Sequence, residues 1–224
     1  MEISQEMVQM NAMTMDWSCS KKVVAREETI IRPWMEKFHS PLPKGKQYWT
    51  MCGKCFDDSG RLAGCELDQV LKSGIITSGQ FHGVDIDPVV ISGNKAAWPG
   101  FDWTLGDFRK VMRNASCFSP GIVNCDTVNK PRRAARMIGD VMNLIDERSS
   151  GDLMLVANVV VEFIGSRKGD VIKSLSNDGC FMASWTSGLW EPYREAICEY
   201  RGSAKSDYST VMGSIVLFRK GGKP

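Results

Sequence analysis

The sequence predicts an α/β fold, in which a largely parallel sheet of seven strands has helices on both faces and ends in an antiparallel pair of strands. Two observations support this prediction. From about residue 47 onward, short apolar segments alternate with segments of helical period, which is the pattern of repeated βαβ units. The chain then ends in two more extended segments joined by a polar loop, and such a short connection favours antiparallel pairing.

The predicted elements follow one another in a regular order. The predicted strands cover residues 47–52, 81–86, 101–105, 121–125, 153–161, 196–200 and 211–219. The predicted helices cover residues 62–73, 88–97, 108–114, 132–147 and 171–176, and a further extended segment covers residues 179–185. Pro88 suits the first turn of its helix, where a missing N–H costs nothing. The run Leu153–Val161 is almost entirely apolar, as expected for a strand that is covered on both faces.

The first 46 residues are predicted to form a helical appendage, and residues 47–224 a single α/β domain. Residues 1–20 are polar and rich in methionine, whereas residues 21–38 have the apolar spacing of an amphipathic helix. Pro33 should bend or split that helix, because it removes one backbone donor and clashes with the preceding turn. The prolines and glycine of residues 41–45 then indicate a linker.

Composition favours an ordinary globular protein. The chain is 43% hydrophobic and 24% charged, with a formal net charge of +2, so no global charge attracts it to nucleic acids or membranes. The longest apolar run is about half of what a membrane-spanning helix needs, and the start of the chain does not resemble a signal peptide. Eight cysteines without a regular spacing favour reduced thiols, and therefore a cytoplasmic location.

Acidic residues follow two consecutive predicted strands. Asp85 lies at the end of the strand 81–86 beside Ile86, and Asp107 follows the next strand and precedes Phe108. Ligands of open α/β sheets bind outside the carboxyl ends of the strands, and an acid after the second strand suits the hydroxyls of a ribose. The second acid is placed to hold the exocyclic amine of an adenine. The pair therefore predicts a site for an adenosine-containing cofactor, although each acid alone would also serve as a helix cap.

This order of features resembles the class I S-adenosylmethionine-dependent methyltransferases, over roughly residues 47–220. The resemblance implies a Rossmann-like seven-stranded sheet, S-adenosyl-L-methionine as cofactor, and an adenosine held by Asp85, Ile86, Asp107 and Phe108.

The same resemblance places Cys52 and Gly53 in the turn after the first strand, beside the methionine part of the cofactor. It places Asn124 and Asp126, after the fourth strand, near the methyl group, where either would accept a hydrogen bond from a substrate N–H or O–H. The chain departs from the family in this first turn, because the usual glycine-rich sequence is absent between Trp49 and Gly64.

Other functions remain open at this stage. Cys52 and Cys55 form a Cys-x-x-Cys motif, which is typical of thiol–disulfide oxidoreductases if a helix begins at the second cysteine. A non-catalytic Rossmann-like domain that binds an adenine dinucleotide is a further alternative. No second Cys-x-x-Cys completes a zinc site, so no metal is expected.

The sequence does not identify the methyl acceptor or the oligomeric state. A nucleic acid would be held through Arg132, Arg133 and Arg136 of the predicted helix 132–147, although such a cluster is more often a solvated helix face. A small molecule would instead be enclosed by the N-terminal helix and the aromatic segment 185–193. Of the two histidines, His82 is interpreted as a packing residue rather than a base.

Overall fold

The computed structural model of the chain describes residues 20–56, 62, 64–127, 131–161, 175, 179–201 and 209–219. The strands are β1 (Gln47–Met51), β2 (Phe81–Asp85), β3 (Asp102–Leu105), β4 (Pro120–Asp126), β5 (Leu153–Val161), β6 (Trp190–Arg201) and β7 (Ser209–Arg219). The α-helices are α1 (Ser20–Arg26), α2 (Arg32–Phe38), α3 (Glu66–Lys72), α4 (Pro88–Ala97), α5 (Phe108–Asn114), α6 (Pro131–Arg148) and α7 (Gly179–Thr186). A π-helical turn (Glu27–Ile31) joins α1 to α2, and a 3₁₀ turn (Ser78–Gln80) precedes β2.

The strands form one seven-stranded sheet in the order β3-β2-β1-β4-β5-β7-β6. Strands β1 to β5 are parallel to one another, and β7 is antiparallel to both of its neighbours, β5 and β6. The predicted α/β fold, a largely parallel sheet with an antiparallel pair at the end, is therefore confirmed. None of the described helices is long and apolar enough to cross a membrane.

Two apolar cores lie on opposite faces of the sheet. Successive residues of a strand point to opposite faces, and Tyr48 and Trp49 of β1 accordingly belong to different clusters, as do Ile122 and Val123 of β4. Helices α5, α6 and α7 cover the Trp49 face, whereas α2, α3 and α4 cover the Tyr48 face. The fully buried stripe of α6 consists of Ala134, Ala135, Ile138, Val141, Met142 and Ile145.

The N-terminal helix is part of the Tyr48-side core. Ile30 and Trp34 are almost fully buried and belong to the same cluster as Phe218 of β7. Pro33 lies in the first turn of α2, where proline is tolerated, and the π-helical turn comes directly before it. The expected irregularity near Pro33 is therefore present, whereas the boundary of an N-terminal appendage at residue 46 stays a prediction.

Three sequence-based expectations differ from the structure. Residues 179–185 were expected to be extended, but this is wrong, because they lie in α7. The rings of Phe181 and Trp185, which are four residues apart, stack with their centroids at 5.7 Å, and this spacing is that of one helix face. The helix expected over 62–73 begins only at Glu66, and β6 begins at Trp190, before the expected residue 196. The helix expected over 171–176 lies outside the described residues, apart from Leu175.

Candidate functional site

The candidate site lies at the carboxyl ends of the central strands. β1 and β4 are neighbours, but the chain continues from β1 to β2 on one side and from β4 to β5 on the other. Such a point of reversal opens a crevice that binds ligands in open α/β sheets. Three of the predicted site residues lie on this edge: Cys52 directly after β1, Asp85 at the end of β2 and Asp126 at the end of β4.

Asp85 is a carboxylate without a cationic partner among the described residues. Its Oδ1 accepts a hydrogen bond from the backbone N–H of Asp87 at 2.8 Å, which fixes the side chain at the start of α4. Partial burial raises the pKa of the Asp85 carboxyl, and the negative charge of Asp87 adds to that effect. Beside it, the side chain of Ile86 is 75% exposed. This arrangement combines an acceptor for hydroxyl groups with an apolar surface for a flat ring.

The Asp107 carboxylate, unlike that of Asp85, has a cationic partner among the described residues and caps a helix. It is the N-cap of α5, and its Oδ1 accepts hydrogen bonds from the backbone N–H groups of Arg109 and Lys110. Its Oδ2 accepts from the Arg109 guanidinium at 3.0 Å, and this hydrogen bond lowers the pKa of the Asp107 carboxyl. Phe108 is buried in the core. Both residues therefore have structural roles, and their proposed contacts with an adenine stay predictions.

The loop after β1 is held by a side chain of α4 instead of a glycine-rich turn. Asn94 is fully buried, its Oδ1 accepts from the Cys55 N–H at 2.8 Å, and its Nδ2 donates to the Gly53 carbonyl at 3.1 Å. The indole N–H of Trp98 donates to the Cys55 carbonyl at 2.8 Å. Cys52 is buried beneath this loop, whereas Gly53 is exposed. Of the two predicted residues, Gly53 is therefore the exposed one, and the contact of either with a cofactor stays a prediction.

The Cys-x-x-Cys motif lacks the features of a redox site. Residues 55 and 56 form a bend rather than the start of a helix. Contact with the Cys52 thiol raises the pKa of the Cys55 thiol, and burial raises it further. A redox-active cysteine requires a lowered pKa and access to solvent. These observations argue against the oxidoreductase alternative, and no metal-binding cluster of His, Cys, Asp or Glu occurs among the residues described.

A buried acid that the sequence reasoning missed, Glu66, lies below the end of β4. It is the first residue of α3, and its Oε1 accepts from the Tyr48 hydroxyl at 2.7 Å. Its Oε2 accepts from the Asn124 Nδ2 at 2.9 Å. Asn124 is itself buried, so its side chain belongs to this network and is not open to the crevice. The direct contact of Asn124 with a substrate stays a prediction.

The network continues across the sheet to β5 and β7. The Asn158 Nδ2 donates to the Asn124 Oδ1 at 3.2 Å, and the Ser214 hydroxyl donates to the Asn158 Oδ1 at 2.6 Å. Asp126, on the same face as Asn124, is exposed and lies beside Asn158 in the register of β4 and β5. Desolvation by the surrounding protein raises the pKa of the Asp126 carboxyl, and the negative charge of Glu66 raises it further. Asp126 thus lies beside this polar network, at the exposed end of β4.

One signal in the sequence marks this network. Asn158 is the only polar residue in the run Leu153–Val161, and a polar side chain in a strand covered on both faces requires a hydrogen-bonding partner. No comparable signal marks Glu66, because acids are common in the first turn of a helix.

The remaining predicted residues lie away from the crevice or on the surface. His82 stacks on Trp49 with ring centroids at 4.7 Å, and its Nδ1 lies 2.6 Å from Asp102 Oδ2. It is therefore a packing residue, three positions before Asp85. Arg133 and Arg136 lie on the exposed face of α6, and the side chain of Arg132 is outside the described residues.

The aromatic segment 185–193 is anchored to the core. Trp190 is buried and donates to Asp146 at 3.1 Å, and the Tyr193 hydroxyl donates to Glu36 at 2.6 Å. These contacts favour a structural role for the segment over a mobile cover.

Comparison with known proteins gives the fold. No protein-family model matches the chain, and no curated protein matches it in sequence. Among solved structures, it is similar to a proposed RNA methyltransferase from Pyrococcus horikoshii, with a TM-score of 0.51 and 14% identity over 87% of this chain and 83% of that chain. It is also similar to a proposed methyltransferase, YhhF, from Escherichia coli, with a TM-score of 0.44 and 14% identity over 90% and 86% of the two chains. A fibrillarin from Methanococcus jannaschii gives a TM-score of 0.45 and 10% identity over 82% and 70%. Together with the strand order, the Pyrococcus match gives the chain the fold of the class I methyltransferases.

Proposed function

We propose that the protein is a methyltransferase that uses S-adenosylmethionine and binds the ribose of this cofactor through Asp85. The observation that supports it best is the Asp85 carboxylate at the end of β2, which faces the crevice without a cation among the described residues. The exposed side chain of Ile86 offers an apolar surface for the adenine. Gly53 lies at the end of β1, where the methionine part of the cofactor would lie. These residues fit an adenosine, and the bound cofactor would supply an activated methyl group.

The test is a calorimetric titration with S-adenosylhomocysteine, with NAD as the comparison ligand. We expect Asp85→Asn to weaken binding by about 1–3 kcal/mol, or roughly 5- to 150-fold, because hydrogen bonds to a charged acceptor are lost. Asp152→Asn is the matched control, because Asp152 is an exposed acid just before β5, at the opposite end of the sheet. Binding of NAD instead of S-adenosylhomocysteine would indicate a nucleotide-binding domain and reject the proposal.

The same substitution has a predicted effect on stability. Because the folded state raises the pKa of the Asp85 carboxyl, its charged form is disfavoured on folding, and this contribution opposes stability above that pKa. Asp85→Asn should therefore unfold at the same urea concentration as the wild type or a higher one at pH 7. A loss of binding without a loss of stability would separate a ligand contact from a structural role.

The acceptor class is open to a direct test. The exposed Arg133 and Arg136 of α6, and the description of the Pyrococcus neighbour as a proposed RNA methyltransferase, favour a nucleic acid. Binding of a short RNA should then fall steeply with salt, and the slope should decrease in Arg133→Ala and Arg136→Ala, because each arginine releases counterions from the phosphates. Salt-independent methyl transfer would favour a small molecule.

We also propose a cytoplasmic location, because the five cysteines whose state the structure describes are free thiols.

A further inference from the structure

Glu66 is a buried carboxylate directly below the two strands at which the direction of the chain reverses. It is 7% exposed, and its oxygens accept hydrogen bonds from the Tyr48 hydroxyl of β1 and from Asn124 Nδ2 of β4. Asn124 lies opposite Thr50 of β1 in the register of the sheet. Asn124 precedes the last residue of β4, Asp126, by two positions, and at about 3.3 Å per residue this corresponds to a depth of about 7 Å below the carboxyl edge of the sheet. The crevice is therefore open above a buried acid.

The contacts of Glu66 favour its charged form but supply no opposite charge beside it. Two neutral donors, Tyr48 and Asn124, stabilise a carboxylate. Tyr48 stays a neutral donor, because burial and the charge of Glu66 raise the pKa of its hydroxyl. Within the described part of the chain, none of the ion pairs includes Glu66. The negative charge is thus held by neutral hydrogen bonds and attracts positive charge above it.

The buried position makes this attraction effective over several ångströms. Water and salt screen the charge of an exposed acid, whereas a buried charge is screened much less. At an effective dielectric constant of about 20, opposite unit charges about 7–10 Å apart change an affinity by roughly 10- to 50-fold. S-adenosylmethionine carries a positive charge on its sulfur, and S-adenosylhomocysteine, its product after methyl transfer, has a neutral sulfur. Glu66 can therefore distinguish two ligands that fit the same contacts with Asp85.

We propose that Glu66 is a specificity-determining residue, whose buried charge favours the positively charged cofactor over its neutral product. This inference rests on the proposed function. In the transfer, an electron pair of the acceptor forms the bond to the methyl carbon, the carbon–sulfur bond breaks, and its electron pair stays on sulfur. The positive charge passes to the acceptor, which releases a proton to water. The sulfur is then no longer attracted by Glu66, and this loss of attraction favours release of the product.

The test compares the affinities of three ligands by calorimetric titration. S-adenosylmethionine and sinefungin, in which a carbon bearing a protonated amine replaces the sulfonium, are charged at this position, whereas S-adenosylhomocysteine is neutral there. Glu66→Gln should weaken the binding of both charged ligands by about 10- to 50-fold relative to the neutral one. Tyr48→Phe is the matched control, because it removes a donor to the same carboxylate and keeps its charge. It should leave the ratio of the three affinities unchanged.

Equal weakening of all three ligands in Glu66→Gln, or a changed ratio in Tyr48→Phe, would overturn the role of Glu66. Glu66→Met is the second variant if Glu66→Gln fails to fold, since a buried charge is often replaced without loss by an apolar side chain of similar volume. It should reduce the same ratio.

A salt titration of the wild type tests the buried origin of the selectivity without any variant. The ratio of affinities should change by less than about 2-fold between about 50 and 500 mM NaCl, because Glu66 is shielded from solvent. A ratio that collapses with salt would assign the selectivity to an exposed acid and reject the proposal. Failure of the wild type to bind any of the three ligands would instead reject the proposed function.

Discussion

Replacement of Asn94 by alanine tests how the loop after β1 is held. The side chain of Asn94 is the hydrogen-bonding partner of the Cys55 N–H and the Gly53 carbonyl, and it is completely buried. A buried polar group that loses its partner costs about 1–3 kcal/mol. Gly53 is exposed, so water can replace the amide at its carbonyl, and the Cys55 N–H carries most of the penalty. We therefore expect Asn94→Ala to lower the free energy of unfolding by about 2–4 kcal/mol, including the lost packing of the side chain.

The measurement is urea denaturation followed by tryptophan fluorescence, with Lys95→Ala as the control. Lys95 is the next residue of α4 and is exposed, so its replacement should change stability by less than about 0.5 kcal/mol. Because the loop borders the crevice, Asn94→Ala should also weaken S-adenosylhomocysteine binding at temperatures where the variant is folded. If Asn94→Ala were as stable as Lys95→Ala, the loop would not depend on this amide, and the reasoning would be refuted.

Two further predictions concern β2 and α5. Gly83→Ala should destabilise by about 1–3 kcal/mol in urea denaturation, because its Cβ would lie 2.5 Å from the Trp103 ring. Gly79→Ala, with no atom within 4 Å of the added Cβ, is the control, and equal stability of the two variants would contradict the close packing. Asp107→Ala should cost about 1–2 kcal/mol at pH 7 through the lost helix cap. Because Arg109 lowers the pKa of Asp107 in the folded state, the difference from the wild type should persist above about pH 4 and disappear as the pH falls through the lowered pKa. A difference that does not change between pH 7 and pH 3 would reject the ion pair.

The order of strands and helices could be predicted from local sequence. The helix Pro88–Ala97 and the strand Leu153–Val161 lie where the pattern places them, because proline at a helix start and a long apolar run are local signals. Residues 179–185 were mistaken for an extended segment because a short apolar stretch has no clear period. The spacing of Phe181 and Trp185 was the helical signal there.

The candidate site could be predicted only in part. Asp85 follows directly from its place after an apolar strand. Glu66 meets Asn124 across 58 residues of sequence, and Asn158 meets Asn124 across 34. Such contacts depend on which strands become neighbours in the sheet, and no local pattern contains that information. The hydrogen bond from Arg109 to Asp107, in contrast, joins residues two positions apart, and the sequence reasoning missed it.

Helix α4 contacts both Asp85 and the loop after β1. These contacts hold the loop in the absence of a glycine-rich turn. The N-cap of α4, Asp87, donates its backbone N–H to Asp85 and thereby fixes the acid proposed to bind the ribose. Two turns later, Asn94 fixes Gly53 and Cys55 in the loop after β1. Phe56 of that loop lies over Gly93, where a Cβ would come within 2.4 Å of its ring. A glycine-rich turn approaches a cofactor through its own backbone freedom, whereas this loop is held in place by side-chain contacts with α4. The position of α4 against β2 therefore sets the distance between the acid proposed to bind the ribose and residues 53–56 of the loop.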